Sequence, residues 1–202
     1  MTKAAEVIAR CSERIEKVVQ DMRAYNVGGQ GDAKDRVDLN QVVADALTII
    51  RAHGRHGNIT IQKEPCPELP PVTGNRYQLE QVIINLILNS IQAIPESRDG
   101  VITITTGHDR MKGMVSLVVR DDGKGIQPDI MGRLMEPFFS TRMESGGSGL
   151  GLYISNFIVT EHRGQLVFES EPDKGTTVTI SIPAADDAPS PGPDAPPGPQ
   201  AA

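Results

Sequence analysis

Three short stretches of this chain combine residue types and spacing that suit chemistry. The first, Ser145-Gly-Gly-Ser-Gly-Leu-Gly-Leu152, has four glycines in six positions and runs into helix-forming sequence through Tyr153, Ile154, Phe157 and Ile158. Glycine backbone takes positive φ at no steric cost and allows a ligand to approach closely. Where such a run opens a helix, its amides and the positive end of the helix dipole form a site for phosphate. A plain glycine-rich turn would use the same residues, so the other two stretches must decide.

The second stretch is a helix that Asn75 can cap, with Gln78 as its capping-box partner. Leu79, Val82, Ile83, Ile84, Leu86, Ile87, Leu88, Ile91, Ala93 and Ile94 make it apolar nearly all round. Its one polar stripe, Gln78, Gln81, Asn85, Asn89 and Gln92, repeats at steps of three and four. Burying amides without partners is costly, so this stripe must face something polar. Asn85 and Asn89, at i and i+4, can turn side-chain oxygens to a hard cation or its waters.

The third is Arg120-Asp-Asp-Gly-Lys-Gly-Ile126, directly after a strand-like run. A carboxylate at a strand end can accept hydrogen bonds from a ligand while Gly123 and Gly125 let backbone pack beside it. Asp-Gly is equally a common turn dipeptide. Nearby, Met135-Glu-Pro-Phe-Phe-Ser-Thr-Arg142 holds adjacent phenylalanines. They suit either the core or the anchor of a mobile lid whose Arg142 reaches a phosphate.

These stretches need elements to position them. Ile8, Cys11, Ile15, Val18, Met22 and Tyr25 form a heptad seam, predicting a bundle helix over 1–27 contributed by a dimer, with a linker over 28–36. A second helix starts near Asp38 or Asn40, with Leu39, Val42, Val43, Ala46, Leu47 and Ile50 on one face, and ends by residues 53–57. Strands are predicted over 58–63, 101–106, 115–119, 165–169 and 177–182 by alternation. Pro65-Cys-Pro-Glu-Leu-Pro-Pro71 is a rigid extended connector, Gly164 the cap after the glycine-opened helix, and residues 172–175 a turn. From residue 184 the composition collapses to Pro, Ala, Asp and Gly, a disordered tail.

Composition narrows the function classes. A net charge of -6 with no basic block argues against nucleic-acid binding. The two cysteines have no metal-ligand spacing, and a reducing compartment is the default. No apolar run approaches the roughly 20 residues of a membrane span. The expectation is a cytoplasmic location without direct membrane contact, though the parent protein can be anchored.

Taken in order, Asn85…Asn89, Asp121-Asp-Gly-Lys-Gly125, Glu136-Pro-Phe-Phe139, Gly147-Ser-Gly-Leu-Gly151 and Gly175-Thr176 closely resemble the N, G1, F, G2 and G3 boxes of sensor histidine kinases. The resemblance runs from about Val37 to Pro183 and is to the family's ATP-binding catalytic domain, in the GHKL superfamily. Residues 6–25 look like the second helix of its dimerisation domain.

The resemblance implies an α/β fold, a two-layer sandwich whose mixed, mostly antiparallel sheet is of the Bergerat ATP-binding type, with the coiled-coil-like helix in front. It implies ATP and Mg²⁺ as cofactors, with Asn89 ligating the metal and Asn85 beside it. Asp121 would accept the adenine amino hydrogen, with Gly123, Gly125 and Ile126 close by and Thr176 helping through a water. Gly149, Leu150 and Gly151 would present amides to the phosphates, with Gly147 and Ser148 also at the cofactor. Arg142 stands at a lid position where the family often has lysine, which leaves its catalytic role less defined. Implied partners are a second copy through the N-terminal helix and a response-regulator receiver domain.

Competing nucleotide motifs are absent: no G-x-x-x-x-G-K-[ST], no His-Arg-Asp or Asp-Phe-Gly, and no G-x-G-x-x-G after a strand. One departure stands out. The family phosphorylates a histidine on its first dimerisation helix, whereas His53, His56, His108 and His162 all fall inside the catalytic match. The chain is therefore expected to bind Mg-ATP without autophosphorylating. The alternatives are an ATP hydrolase of the same superfamily, or a nucleotide-dependent binding module or pseudokinase. Gyrase-like hydrolases carry a water-activating glutamate where this chain has Asn85, and an amide cannot take a proton from water.

Overall fold

The computed structural model of the protein describes residues 35–52, 58–140 and 148–185. The predicted bundle helix over 1–27, the linker as far as residue 34, the helix end at 53–57, Arg142, Gly147 and the tail from 186 lie outside the described residues.

Strand β1 (Asp35–Val37) leads into helix α1 (Leu39–Ala52). Asp38 starts the helix, its Oδ1 accepting the N–H groups of Asn40 at 2.8 Å and Gln41 at 3.4 Å. The six apolar residues of the predicted face, Leu39 to Ile50, are all buried. β1 begins two residues inside the stretch expected to be linker and pairs antiparallel with β3 (Val72–Gly74), Val37 opposite Val72. Three-residue strands are too short for alternation to register in sequence, and both are held by burial of those two valines.

Helix α2 (Arg76–Ala93) opens as predicted at Asn75, whose side chain accepts from the N–H groups of Tyr77 and Gln78. The other half of the predicted capping box is replaced. Asn75's own N–H, which a capping box would give to Gln78, donates to Nε2 of buried His162 at 3.0 Å. The ring's Nδ1 lies 2.7 Å from the Ile158 carbonyl, so the imidazole joins the start of α2 to the end of helix α4 (Gly151–Glu161). α2 packs against α1, α4 and the sheet.

The five-stranded sheet runs β2 (Ile59–Glu64), β4 (Gly100–Asp109), β5 (Met114–Asp121), β7 (Gly175–Pro183) and β6 (Gln165–Glu171). β2 pairs with β4 in parallel, and every other neighbour is antiparallel. Ile102, Ile104, Leu117, Val119, Val178 and Ile180 point under the helices, whereas Thr103, Thr105, Ser116 and Thr179 on the other face stay partly exposed. That period of two with one covered face makes the two-layer sandwich expected from the sequence.

A short helix, α3 (Pro128–Met131), precedes the phenylalanine pair. Gly164 is not the left-handed cap of α4. That conformation falls on Arg163 at φ 57°. Gly164 instead closes the turn with its N–H on Val159 at 2.9 Å, and a Cβ there would lie 2.5 Å from the Ser181 carbonyl oxygen. Its glycine identity serves close approach to β7. Among the described residues no helix is long and apolar enough to cross a membrane.

Candidate functional site

A cavity of about 520 Å³ opens between α2, the end of β5, the start of α4 and the β6–β7 hairpin. Asn85, Asn89, Asp121, Gly149, Gly151 and Thr176 all line it.

Asp121 ends β5 and is 4% exposed. The sheet register sets it opposite Thr176 on β7. Its Oδ1 accepts the N–H of Gly123 at 2.9 Å and that of Thr176 at 3.3 Å. Ser90, buried on α2, lines the same cavity. Burial pushes the Asp121 pKa above its ordinary value, while the hydrogen bonds from Gly123 and Thr176 pull the other way.

The loop after Asp121 is fixed from both sides. Ser170 accepts the Ile126 N–H at 2.9 Å, donates to the Gly175 carbonyl at 2.8 Å and lies 3.0 Å from the Thr176 hydroxyl. Lys124 donates its N–H to the Ala93 carbonyl at 3.0 Å, and Asp173 donates its own to Lys124 at 2.9 Å. Gly175, at φ 103°, lies so close to the Asp121 carbonyl that a side chain would strike it.

The opposite end of the cavity is built of amides. Asn85 Nδ2 donates to Ser155 Oγ on α4 at 2.9 Å, and Asn89 Nδ2 reaches Asn85 Oδ1 at 3.4 Å. Among the described residues no donor is directed at the Asn89 carbonyl oxygen. Gly149 takes φ 70° and passes so near Phe138 that a Cβ would lie 2.5 Å from its carbonyl carbon. α4 begins two residues later with no side-chain cap, so the N–H groups of its first turn are left for other acceptors. An open set of amides beside an uncapped helix start suits an anion, and the unmatched Asn89 oxygen suits a hard cation accompanying it.

Of the residues singled out from sequence, Asn85, Asn89, Asp121, Gly125, Ile126, Ser148, Gly149, Gly151 and Thr176 converge on this cavity. Gly123 does not line it, and acts behind it through its bond to Asp121. Leu150, expected to offer its amide, buries its side chain in the core at 5% exposure, and its N–H donates to Ser148 Oγ at 3.3 Å. Arg142 and Gly147 are outside the described residues.

The profile of the family described as histidine kinase-, DNA gyrase B-, and HSP90-like ATPase matches residues 74–186, which hold every one of these cavity residues. The chain belongs to this ATPase family. Its relatives include sensor histidine kinases. Sporulation kinase E of Bacillus subtilis (strain 168) is 31% identical over 182 residues, 90% of this chain and 24% of that protein. Sensor histidine kinase ZraS of Escherichia coli (strain K12) is 32% identical over 179 residues, 89% of this chain and 37% of that protein. The nucleotide-free catalytic domain of histidine kinase ThkA matches at 30% identity with a TM-score of 0.64, over 74% of this chain and 97% of that one. Within the ATPase family the chain is thus a sensor histidine kinase catalytic domain, and it uses a nucleotide. It spans between 24% and 37% of the length of the two kinases named here.

The sequence reading of this family member missed the apolar walls of its cavity. Ile130, Leu134, Phe139, Phe168 and Val178 supply them. Phe139 lines the cavity, with the Arg133 guanidinium 4.4 Å above its ring. Phe138 is 54% exposed and takes φ 65°, a costly conformation for an aromatic residue. Ser90 was also missed, although its place beside Asn89 on a buried helix was a usable signal.

Proposed function

We propose that this domain binds Mg-ATP and transfers the γ-phosphoryl group to a histidine on a dimerisation helix, from which it passes to a response-regulator receiver domain. The observation carrying this reading is the convergence of a buried carboxylate, two helix amides and an uncapped glycine-opened helix on one cavity. In this arrangement Asp121 accepts the adenine amino N–H, and Thr176 supports it. The apolar walls hold the ring, and the backbone at Ser148, Gly149 and Gly151 faces the phosphates.

Magnesium fits the donor set. Among the described residues the Asn89 carbonyl oxygen has no hydrogen-bond donor, and no group of three His, Cys, Asp or Glu would hold a metal alone. An ion held largely by phosphate and water matches that pattern. Asn89 would hold it, with Asn85 alongside; when bound, the ion neutralises charge on the triphosphate. Arg142 is assigned a supporting charge on the phosphates. The residues then act by positioning and by electrostatic stabilisation. The bond between the β- and γ-phosphates breaks, a nitrogen–phosphorus bond forms on the acceptor imidazole, and ADP leaves.

Hydrolysis by this site is disfavoured because Asn85, bonded to Ser155, has no basic atom for a water proton. His162 is an unsuitable acceptor, being buried with both ring nitrogens engaged. The acceptor histidine is assigned to a dimerisation helix, in a homodimer. Calorimetry with a non-hydrolysable ATP analogue, with and without Mg²⁺, on wild type and Asn89→Ala tests the reading. Magnesium-dependent binding weakened in the variant is expected. No binding by the wild type would overturn it.

A further inference from the structure

Hydrogen bonds tie α4 to α2 at both of its ends. Near the start of α4, Ser155 Oγ accepts Asn85 Nδ2 at 2.9 Å, and Gly151 passes so close to the Asn85 side chain that a Cβ would strike it. At the other end His162 closes the helix, and Nε2 of its buried ring accepts the Asn75 N–H at 3.0 Å. Asn85 and Gly151 line the cavity, whereas His162 and Asn75 do not. A helix of 11 residues is a stiff rod about 16 Å long, so the far bond sets the angle at which the near end meets the cavity.

The far bond admits a single proton arrangement. A backbone N–H can only donate, so Nε2 is the acceptor. The Ile158 carbonyl, 2.7 Å from Nδ1, can only accept, so the one ring proton sits on Nδ1. Gly74 confines the ring from the β3 side: it is buried, and a Cβ there would strike the imidazole. A second proton would go to Nε2 and set one donor against another, leaving the Asn75 N–H unpaired.

We propose that His162 is a positioning residue for the nucleotide site. As a neutral ring it latches the far end of α4 to the start of α2; on taking up a proton it lets go, and the glycine-opened start of α4 loses its place beside Asn85. The inference rests on reading the cavity as a nucleotide site. The charged groups carried by the elements around the ring are Asp35, opposite Gly74 in the β1–β3 register, and Arg36; Arg76, paired with Asp45 of α1, and Glu80; and Glu161 and Arg163 on either side of His162 in the chain. Asp35, Arg36, Glu161 and Arg163 are exposed, where water and salt screen them. The direct partners of the two ring nitrogens are main-chain groups, which do not titrate.

The test has two arms on the full chain. In the first, without nucleotide, the nitrogen NMR shifts of the His162 ring and the Asn75 amide are followed as pH is lowered. A proton on Nδ1 and a bare Nε2 are expected near neutral pH, with the Asn75 amide moving as the ring titrates. A proton on Nε2 at neutral pH, or an Asn75 amide blind to the titration, would overturn the latch. In the second arm, ADP affinity is measured over the same range for wild type, His162→Gln and His162→Asn. A Gln oxygen reaches the place of Nε2 and accepts from Asn75 without titrating, whereas an Asn amide ends at the place of Nδ1 and leaves Asn75 without its acceptor. Near neutral pH His162→Gln is expected within about twofold of wild type and His162→Asn about fivefold weaker. As the ring titrates, wild type should fall from the Gln value towards the Asn value, while any acid loss at Asp121 is common to all three and cancels in their ratios. A ratio of wild type to His162→Gln that stays flat through the ring's titration would overturn the proton step. Equal losses in both variants would mean that the ring only packs, and would overturn the positioning role. Gly74→Ala, which displaces the ring without altering it, is expected to weaken ADP as His162→Asn does, and wild-type affinity there would also overturn that role. If wild type takes no ADP while the ring signature holds, the nucleotide reading fails and the joint between the helices stands.

Discussion

The two ends of the cavity solve opposite problems. At the Asp121 end the protein brings a charge into the interior and satisfies much of it internally, through the N–H groups of Gly123 and Thr176. At the Asn85–Asn89 end it brings neutral amides to the same cavity and leaves them weakly engaged, with a 3.4 Å contact between them and an oxygen unmatched. A preorganised acceptor suits a rigid base whose pattern is fixed. Loosely held amides suit a triphosphate whose charge arrives with the ligand.

Breaking the first end is expected to cost most. Asp121→Asn keeps one oxygen for the backbone donors but can turn an N–H towards the adenine amino group. Adenine-nucleotide affinity should fall by about 100-fold by calorimetry, with the far-ultraviolet circular dichroism unchanged.

A smaller loss follows from acid. The Asp121 pKa is raised above 3.8 chiefly by burial, so the carboxylate takes up its proton at a higher pH than usual. Affinity should decline as pH falls through that raised value. Stability moves the other way: the contribution of a raised carboxyl is fully present below its unfolded pKa and is lost as pH rises through the folded one. Affinity and denaturant midpoint measured over the same acid range should therefore diverge in sign, and parallel curves would remove Asp121 from the site.

At the second end, Asn89→Ala should weaken Mg-dependent binding by about tenfold while leaving metal-free binding close to wild type, which separates the ends directly. Ser155→Ala should have the smallest effect. It removes the partner of Asn85 Nδ2 and is expected to cost about threefold in affinity, read in the same titration. A Ser155 variant weaker than the Asn89 one would mean that the link between α2 and α4 matters more than the metal position.

The helices and the long strands were legible in sequence because their signals are local and periodic. α1 buries the face that its apolar spacing predicts, and Asn75 caps α2 where expected. Asn85 and Asn89 stood out for the same reason, as polar groups on a helix whose burial demanded a partner, whereas Asp121 read by itself suited a turn equally and was set apart by the resemblance. The short strands β1 and β3 gave no such signal, and neither did the imidazole that replaces Gln78 as partner of the Asn75 N–H. That bond joins residues 87 positions apart, beyond the reach of any local pattern.

What the sequence determined by itself was the set of chemical groups and the elements carrying them, since propensity, capping and glycine placement act over a few residues. The tertiary structure decided which of those groups meet. The β5–β7 register brings Thr176 to Asp121, and the packing of α4 on α2 brings Ser155 to Asn85. It also turned Leu150 into the core and delivered Ser90 to the cavity wall. Those meetings depend on side-chain direction and close packing between distant segments, which only the folded chain sets.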